Sequence, residues 1–378
     1  MLRNHAFKLA AVVVTASGAC TSQQKTKCSG DNAELHKNGI EGCVGNTPLV
    51  YIKSLSEETK CHIYAKAEYQ NPGGSIKDRT ALGIIIEAER MNKLKKGGTI
   101  VEGTGGNTGI ALAQIGAAKG YKVILCMPNS IAQEKIAYSQ RFGAEIHLQP
   151  LVPFTNPDNY ARKAEQIAAS IPGSVHADQF ENLANYRIHY STTGPEIFRQ
   201  TNGTVDAFVA SCGTGGTLAG ISSFLKQAKP GVKCFLIDPM GSVLFEYVSS
   251  GKVSATGSSE IEGIGIGRIT DNFKHAELDG AFRGTDQEAV NMAYFLMKEE
   301  GLFIGPSAAL NMVGAVKVAQ KLGPGHTIVT IMCDGGERYL SKLYNEAWLA
   351  KLGLTPKHTD DLNSIQYSPI LIKAGDNQ

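Results

Sequence analysis

No two of the eight cysteines stand in a C-x-x-C pair, and several, such as Cys126, lie inside apolar runs. A zinc clip or a disulfide framework needs tighter, more regular spacing, so the cysteines read as buried thiols of a reducing compartment. Neither sign of charge is in excess. Against 37 basic residues stand 35 acidic ones, a net charge of +2 without a long basic stripe, which argues against nucleic acid as a main partner. No apolar run reaches the about 20 residues that span a bilayer. Fixed-period repeats and coiled-coil heptads are missing too, which excludes a solenoid or a long coiled coil.

Acidic residues are absent before Asp31, while Arg3, Lys8, Lys25 and Lys27 supply positive charge. With Ser, Thr and a short apolar stretch at 9–16, this predicts a mitochondrial targeting segment over residues 1–30. A secretory signal cut near Ala19 or Cys20, and an uncut tail on a cytoplasmic protein, are the alternatives.

What the chain does have is an apolar fraction of 42%, enough for a sizeable core, and 42 glycines clustered at the ends of apolar runs. Residues 99–102 and 122–127 read as strands around a helix at 110–119. Residues 206–212 lead into a helix at 218–229, and further strands fall at 234–237 and 327–333. Such alternation predicts an α/β architecture with a mainly parallel sheet, whose ligands gather beyond the carboxyl ends of the strands. Residues 241–260, small and polar, read as a mobile surface loop, and 351–378 as a tail without periodicity.

Two glycine turns carry chemistry. Gly213-Thr214-Gly215-Gly216-Thr217 follows a strand and opens a helix; its free N–H groups and hydroxyls suit a phosphate, although a plain tight turn uses the same residues. Leu218 stands where a dinucleotide fingerprint needs its third glycine, and no Gly-Lys-Ser/Thr follows, so both standard nucleotide loops fail. The second turn, Thr104-Gly105-Gly106-Asn107-Thr108-Gly109, offers donors to a carboxylate and a phenolic oxygen; Asn and Thr there also suit plain helix capping.

Lys77 is the third feature. The turn Asn71-Pro72-Gly73-Gly74 and the capping pair Ser75/Asp78 place it in the first turn of a helix that ends at Lys95-Lys96-Gly97. The positive end of the helix dipole disfavours a cation there by about 0.3–1 kcal/mol. A solvated lysine tolerates this, whereas an amine that must lose its proton to attack an aldehyde benefits from it. A Schiff-base lysine, a phosphate cradle and a carboxylate loop are together what pyridoxal phosphate needs.

These residues resemble the cysteine synthase/cystathionine β-synthase family. The match rests on Asn71-Pro-Gly-Gly-Ser-Ile-Lys77-Asp-Arg79, Gly-Gly-Asn107-Thr-Gly-Ile, Gln179-Phe180-Glu-Asn, Thr192-Thr-Gly-Pro-Glu-Ile197, Gly213-Thr-Gly-Gly-Thr217 and Gly305-Pro-Ser307, in the family's order from about Gly45 to Gly336. The resemblance implies a fold-type-II, tryptophan-synthase-β-like catalytic region over 40–350. Its smaller lobe would cover about 71–182 and its larger lobe about 45–70 plus 183–345, with pyridoxal phosphate between them. Lys77 is implied to hold the cofactor and act as base, Asn107 to bond its phenolic oxygen, Gly213 to Thr217 its phosphate, and Ser307 its ring nitrogen. Thr104, Gly105, Thr108 and Gln179 are implied to hold the substrate carboxylate. A serine hydroxyl stabilises a protonated ring nitrogen less than a carboxylate does, which suits prompt expulsion of a β-substituent. Three departures stand out: Gly105 in place of the usual serine, Leu183 in place of proline, and Pro306 and Ala308 beside Ser307. Gly105 bears on substrate choice, and a branch in fungi and related eukaryotes is similar in this loop.

The expected reaction is O-acetylserine plus sulfide giving cysteine and acetate. Cystathionine synthesis from serine and homocysteine is the alternative, disfavoured by the short stretch beyond the catalytic region. Cysteine desulfhydrase or serine dehydratase chemistry is a third possibility, and a non-catalytic sensor with the same fold a fourth. A homodimer, and a serine acetyltransferase partner, are what the resemblance suggests for assembly.

Overall fold

The computed structural model describes residues 38–356 and 371–372; the segment 1–30 read as a targeting signal, and most of the tail, lie outside the described residues. The described strands are β1 (Leu49–Tyr51), β2 (His62–Ala67), β3 (Thr99–Gly103), β4 (Lys122–Pro128), β5 (Glu145–Gln149), β6 (Val175–His176), β7 (Ala207–Ala210), β8 (Lys233–Pro239), β9 (Gly280–Gly284), β10 (Thr327–Met332) and β11 (Leu371–Ile372). They form two sheets, one in the order β5-β4-β3-β6 and one in the order β1-β2-β10-β7-β8-β9-β11. The first is parallel throughout. The second is parallel from β2 to β9 and antiparallel only at its edges, where β1 meets β2 and β11 meets β9.

The parallel α/β architecture expected from the sequence follows from strand composition. β7 (AFVA) and β10 (TIVTIM) are buried at every position, as strands must be when helices cover both faces of the sheet. The helix Pro306–Leu322 supplies one cover, with Leu310, Met312 and Val313 packed into the core around β2 and β10. The helices Lys77–Arg90 and Asn107–Lys119 bring Ile84, Ile85 and Leu112 into a second core with β3 and β4. No helix among the described residues is long and apolar enough to cross a membrane.

Four expectations change. The Lys77 helix, read to end at Lys95-Lys96-Gly97, stops at Arg90, where Asn92 takes a left-handed conformation at φ +55°. The helix read at 110–119 begins at Asn107, so the polar end of that loop is itself helical. Residues 241–260 are only in part a loop, because Leu244–Ser250 is a helix that buries Leu244, Phe245 and Val248. The tail is not wholly without structure: Leu371–Ile372 adds an antiparallel edge strand to β9.

Candidate active site

The carboxyl ends of β3 and β7 lead into the Thr104–Gly109 and Gly213–Thr217 turns, and residues from both turns and from just beyond β10 line one cavity. Ile76 donates its N–H to the Cys333 carbonyl at 2.9 Å and Ser75 bridges to Asp334, so the start of the Lys77 helix is fastened to the end of β10. The N-cap falls at Ile76, one residue later than the Ser75/Asp78 pair implies, and those two side chains instead brace the turn before it. Ser75 Oγ accepts from the Lys77 N–H at 3.2 Å, while Asp78 accepts from the N–H groups of Ser75 at 3.2 Å and Gly73 at 2.5 Å. Burial pushes the Asp78 carboxyl up to about 6, against the opposing pull of those N–H groups and of Arg338. Behind Lys77, Arg79 is fully buried between Glu68 (2.8 Å) and Glu196 (2.7 Å), and Lys66 also reaches Glu196 at 2.6 Å. Burial alone would raise the Glu196 carboxyl, yet Arg79 and Lys66 hold it down at about 2.

A cavity of about 740 Å³ opens between these strand ends, in the range of small-molecule sites. Lys77, Thr104, Gly105, Asn107, Thr108, Gln179, Gly213, Thr214, Gly215, Thr217 and Ser307 all line it; of the sequence candidates only Gly216 does not. Gly216 instead begins the helix Gly216–Ala228, where a Cβ would lie 2.2 Å from Asn185 Oδ1. The neighbouring glycines are equally confined. A Cβ on Gly213 would stand 2.4 Å from the Gly263 carbonyl oxygen, and Gly215, at φ +95°, packs against the Phe273 backbone. Thr270 Oγ1 donates to the Thr214 carbonyl at 2.7 Å and closes the turn from outside.

Several residues that the sequence did not single out complete the site. Asn185 donates to Thr214 Oγ1 and to the Gln179 carbonyl, each at 2.9 Å, tying the Gly213–Thr217 turn to the Gln179 segment. His189 Nε2 lies 3.2 Å from Thr217 Oγ1. Burial, then the charges of Arg79 and Lys77, push this imidazole well below its usual range, so it is neutral. Asn107 donates to Asp334 Oδ2 and accepts from Arg338 Nη1, both at 2.6 Å, which fixes its amide orientation and leaves one amide proton for a ligand. Thr108 Oγ1 donates to Gln179 Oε1 at 2.6 Å, and Gln179 Nε2 donates to Glu102 Oε1 at 3.0 Å. Thr104 Oγ1 accepts from the Gly106 N–H at 3.1 Å. Of the glycines in this turn and in Gly213–Thr217, Gly105 is the one that is exposed with no heavy atom within 4 Å of a Cβ.

Two thiols line the cavity as well. Cys333 receives a hydrogen bond from Asn311 at 3.4 Å and is bonded to the Ser307 hydroxyl; burial, then Asp334, raises it to about 11. Burial likewise pushes Cys212 far up. The buried Ser211 Oγ, on the same wall, has no partner among the described residues. An unpartnered hydroxyl beside a glycine turn that admits no side chain, and a lysine across the cavity, fit a phosphate-bearing aldehyde.

The family profile described as pyridoxal-phosphate dependent enzyme matches residues 40–334. The chain belongs to the pyridoxal-phosphate-dependent enzymes. Within that family it is similar to cysteine synthase 1 of Emericella nidulans, 52% identical over an alignment of 331 positions that covers 85% of this chain and 90% of that one. It is also similar to the cysteine synthase of Dictyostelium discoideum, 48% identical over 87% of this chain and 90% of that protein. Among solved structures, the O-acetylserine dependent cystathionine beta-synthase from Helicobacter pylori superposes with a TM-score of 0.74, at 34% identity, over 80% of this chain and 97% of that one. The pyridoxal-phosphate-dependent enzymes use the cofactor as an electron sink at the substrate's α-carbon, and the cavity described above is where this chain would hold it.

Proposed function

We propose that this protein is a cysteine synthase, converting O-acetyl-L-serine and sulfide to L-cysteine and acetate. The observation that carries the reading is the convergence of Lys77, the Gly213–Thr217 turn and the Thr104–Thr108/Gln179 segment on one cavity. The cysteine synthases of Emericella and Dictyostelium support it through their identity over most of the chain.

Bound pyridoxal phosphate supplies the electron sink that makes the α-proton of the amino acid removable. The remaining steps belong to the chain. The turn from Gly213 to Thr217, with Gly216 N–H at the helix start, would hold the phosphate through backbone donors and the hydroxyls of Thr214 and Thr217. Asn107 would offer its remaining amide proton to the phenolic oxygen, and Ser307 its hydroxyl to the ring nitrogen. Thr104, Gly105, Thr108 and Gln179 receive the substrate carboxylate. Lys77 Nζ, freed by the incoming amino group, takes the α-proton, acetate leaves the β-carbon, sulfide adds there, and Lys77 Nζ returns the proton.

The test is direct. Purified protein with pyridoxal phosphate is expected to show a visible band near ~410 nm and to form cysteine from O-acetylserine and sulfide. Lys77→Ala is expected to lose the band and at least about a thousandfold in turnover. A protein that carries the band but turns over only serine with homocysteine, or only cysteine, keeps the site and moves the substrate. The open space at Gly105 loosens the carboxylate loop, which bears on the third reading, cysteine desulfhydrase or serine dehydratase chemistry. For assembly and address we propose a mitochondrial homodimer, the first on the basic, acid-free composition of residues 1–30 and the second by resemblance. Fusion of residues 1–30 to a fluorescent reporter and the mass in solution test these two points.

A further inference from the structure

We propose that Glu102 is a positioning residue for the amino-acid substrate: by accepting two N–H groups of Gln179 it locks that side chain in the orientation that meets the substrate carboxylate. This rests on the reading of Gln179 as a carboxylate ligand. Glu102 lies near the end of β3, two residues before Thr104, and is 1% exposed. Its Oε1 accepts from Gln179 Nε2 at 3.0 Å and its Oε2 from the Gln179 backbone N–H at 3.4 Å. On the other side Gln179 Oε1 accepts from Thr108 Oγ1 at 2.6 Å. The relay has a fixed polarity. Thr108 spends its hydroxyl proton on Gln179, and Gln179 spends one amide proton on Glu102. One Nε2 proton is left, the single side-chain donor that Gln179 can offer at the cavity wall.

A glutamate in this place raises an electrostatic difficulty, because a negative charge behind the loop would repel the carboxylate that the loop receives. The surroundings answer it. Burial, then the neighbouring Asp178, push the Glu102 carboxyl up to about 8, against the N–H groups of Gln179 and Asp178 that pull it down. Tyr160 and Cys126 face it and are themselves raised, by burial and by Glu102. His176, Glu181 and Arg268 act on Asp178, and Lys163 on Cys126, so the cations stand one layer away. At neutral pH Glu102 is therefore mostly an uncharged acid that still has lone pairs for Gln179. Above about pH 8 it ionises, and the loop loses affinity for an anion.

The experiment measures KM and kcat for O-acetylserine between pH 6.5 and 9 in the holoenzyme, in Glu102→Ala, in Glu102→Gln and in Gln179→Ala, with thermal melts and the cofactor band as controls. Glu102→Ala is expected to raise KM about tenfold at pH 7 with a smaller change in kcat and the band retained. Glu102→Gln, neutral at every pH and still an acceptor toward Nε2, is expected to keep KM within about threefold at pH 7. It should also lose the rise in KM that the natural protein shows above about pH 8. A Glu102→Gln protein with the same alkaline rise overturns the proposal, as does a folded Glu102→Ala protein with an unchanged KM. Should Gln179→Ala itself leave KM unchanged, the carboxylate assignment fails first and the role of Glu102 with it. A rise in Gln179→Ala without one in Glu102→Ala sinks the role of Glu102 alone.

Discussion

The two glycine loops of the cavity are built on opposite principles. Around Gly213–Thr217 every glycine that the turn supplies is hemmed in: by the Gly263 carbonyl at Gly213, by the Phe273 backbone at Gly215 and by Asn185 at Gly216. Around Thr104–Thr108 the glycine that departs from the family pattern, Gly105, faces open space, and Gly106 meets only the side chain of Lys135, at 3.4 Å. The first loop owes its shape to packing and admits one ligand geometry. The second owes its shape to hydrogen bonds among Thr104, Thr108, Gln179 and Glu102, and its rim has room for other side chains. On the assignment proposed above, cofactor binding would be sterically fixed, while the choice of amino acid would be left to a rim that substitutions can reach.

The contrast can be broken most severely at Gly215. Gly215→Ala combines a left-handed backbone at φ +95° with a Cβ 2.6 Å from the Phe273 nitrogen, and is expected to lower stability by about 2–5 kcal/mol. Purification should yield protein without its visible band, as absorbance and a melting curve would register. Next comes Gly216→Ala, whose Cβ meets the side chain of Asn185, at a cost of about 1–3 kcal/mol. Because Asn185 is itself bonded to Thr80, Thr214 and Gln179, it cannot simply swing aside. Combining Gly216→Ala with Asn185→Ala should therefore recover part of the loss, a coupling of about 1 kcal/mol in a double-mutant cycle of denaturant unfolding. The smallest effect is predicted for Gly105→Ser, within about 0.5 kcal/mol of the natural stability. Its readout is the ratio of kcat/KM for O-acetylserine over serine, which should change while the melting temperature does not. A large drop in melting temperature there would mean that the open rim is as constrained as the cradle.

Much of the fold was legible because its central strands are apolar on both faces. β4, β8 and β10 announce themselves as apolar runs, and the glycine turns after β3 and β7 mark the ligand side. The edges gave no such signal. β1 is three residues long, β6 two, and β11 pairs with a strand some ninety residues earlier, so no local period could reveal it. At the site, the loops were visible as local motifs, whereas their supports were not. Asn185 acts on Thr80 and Gly216, and Asp334 on Asn107, across separations that only the folded sheets bring together. Glu102 did leave a trace that could have been followed: the one charged residue in the strand TIVEG, directly ahead of the binding loop.

The buried thiols of the cavity wall have a bearing on durability. Cys212 and Cys333 stand within the space where sulfide is to react, and both are held far on the protonated side, Cys333 at about 11. Only a thiolate attacks disulfides, polysulfides or peroxide at an appreciable rate. Turnover itself is redox-neutral and leaves these thiols untouched; held protonated, they are also poor nucleophiles toward any oxidised sulfur species or peroxide that enters the chamber from outside.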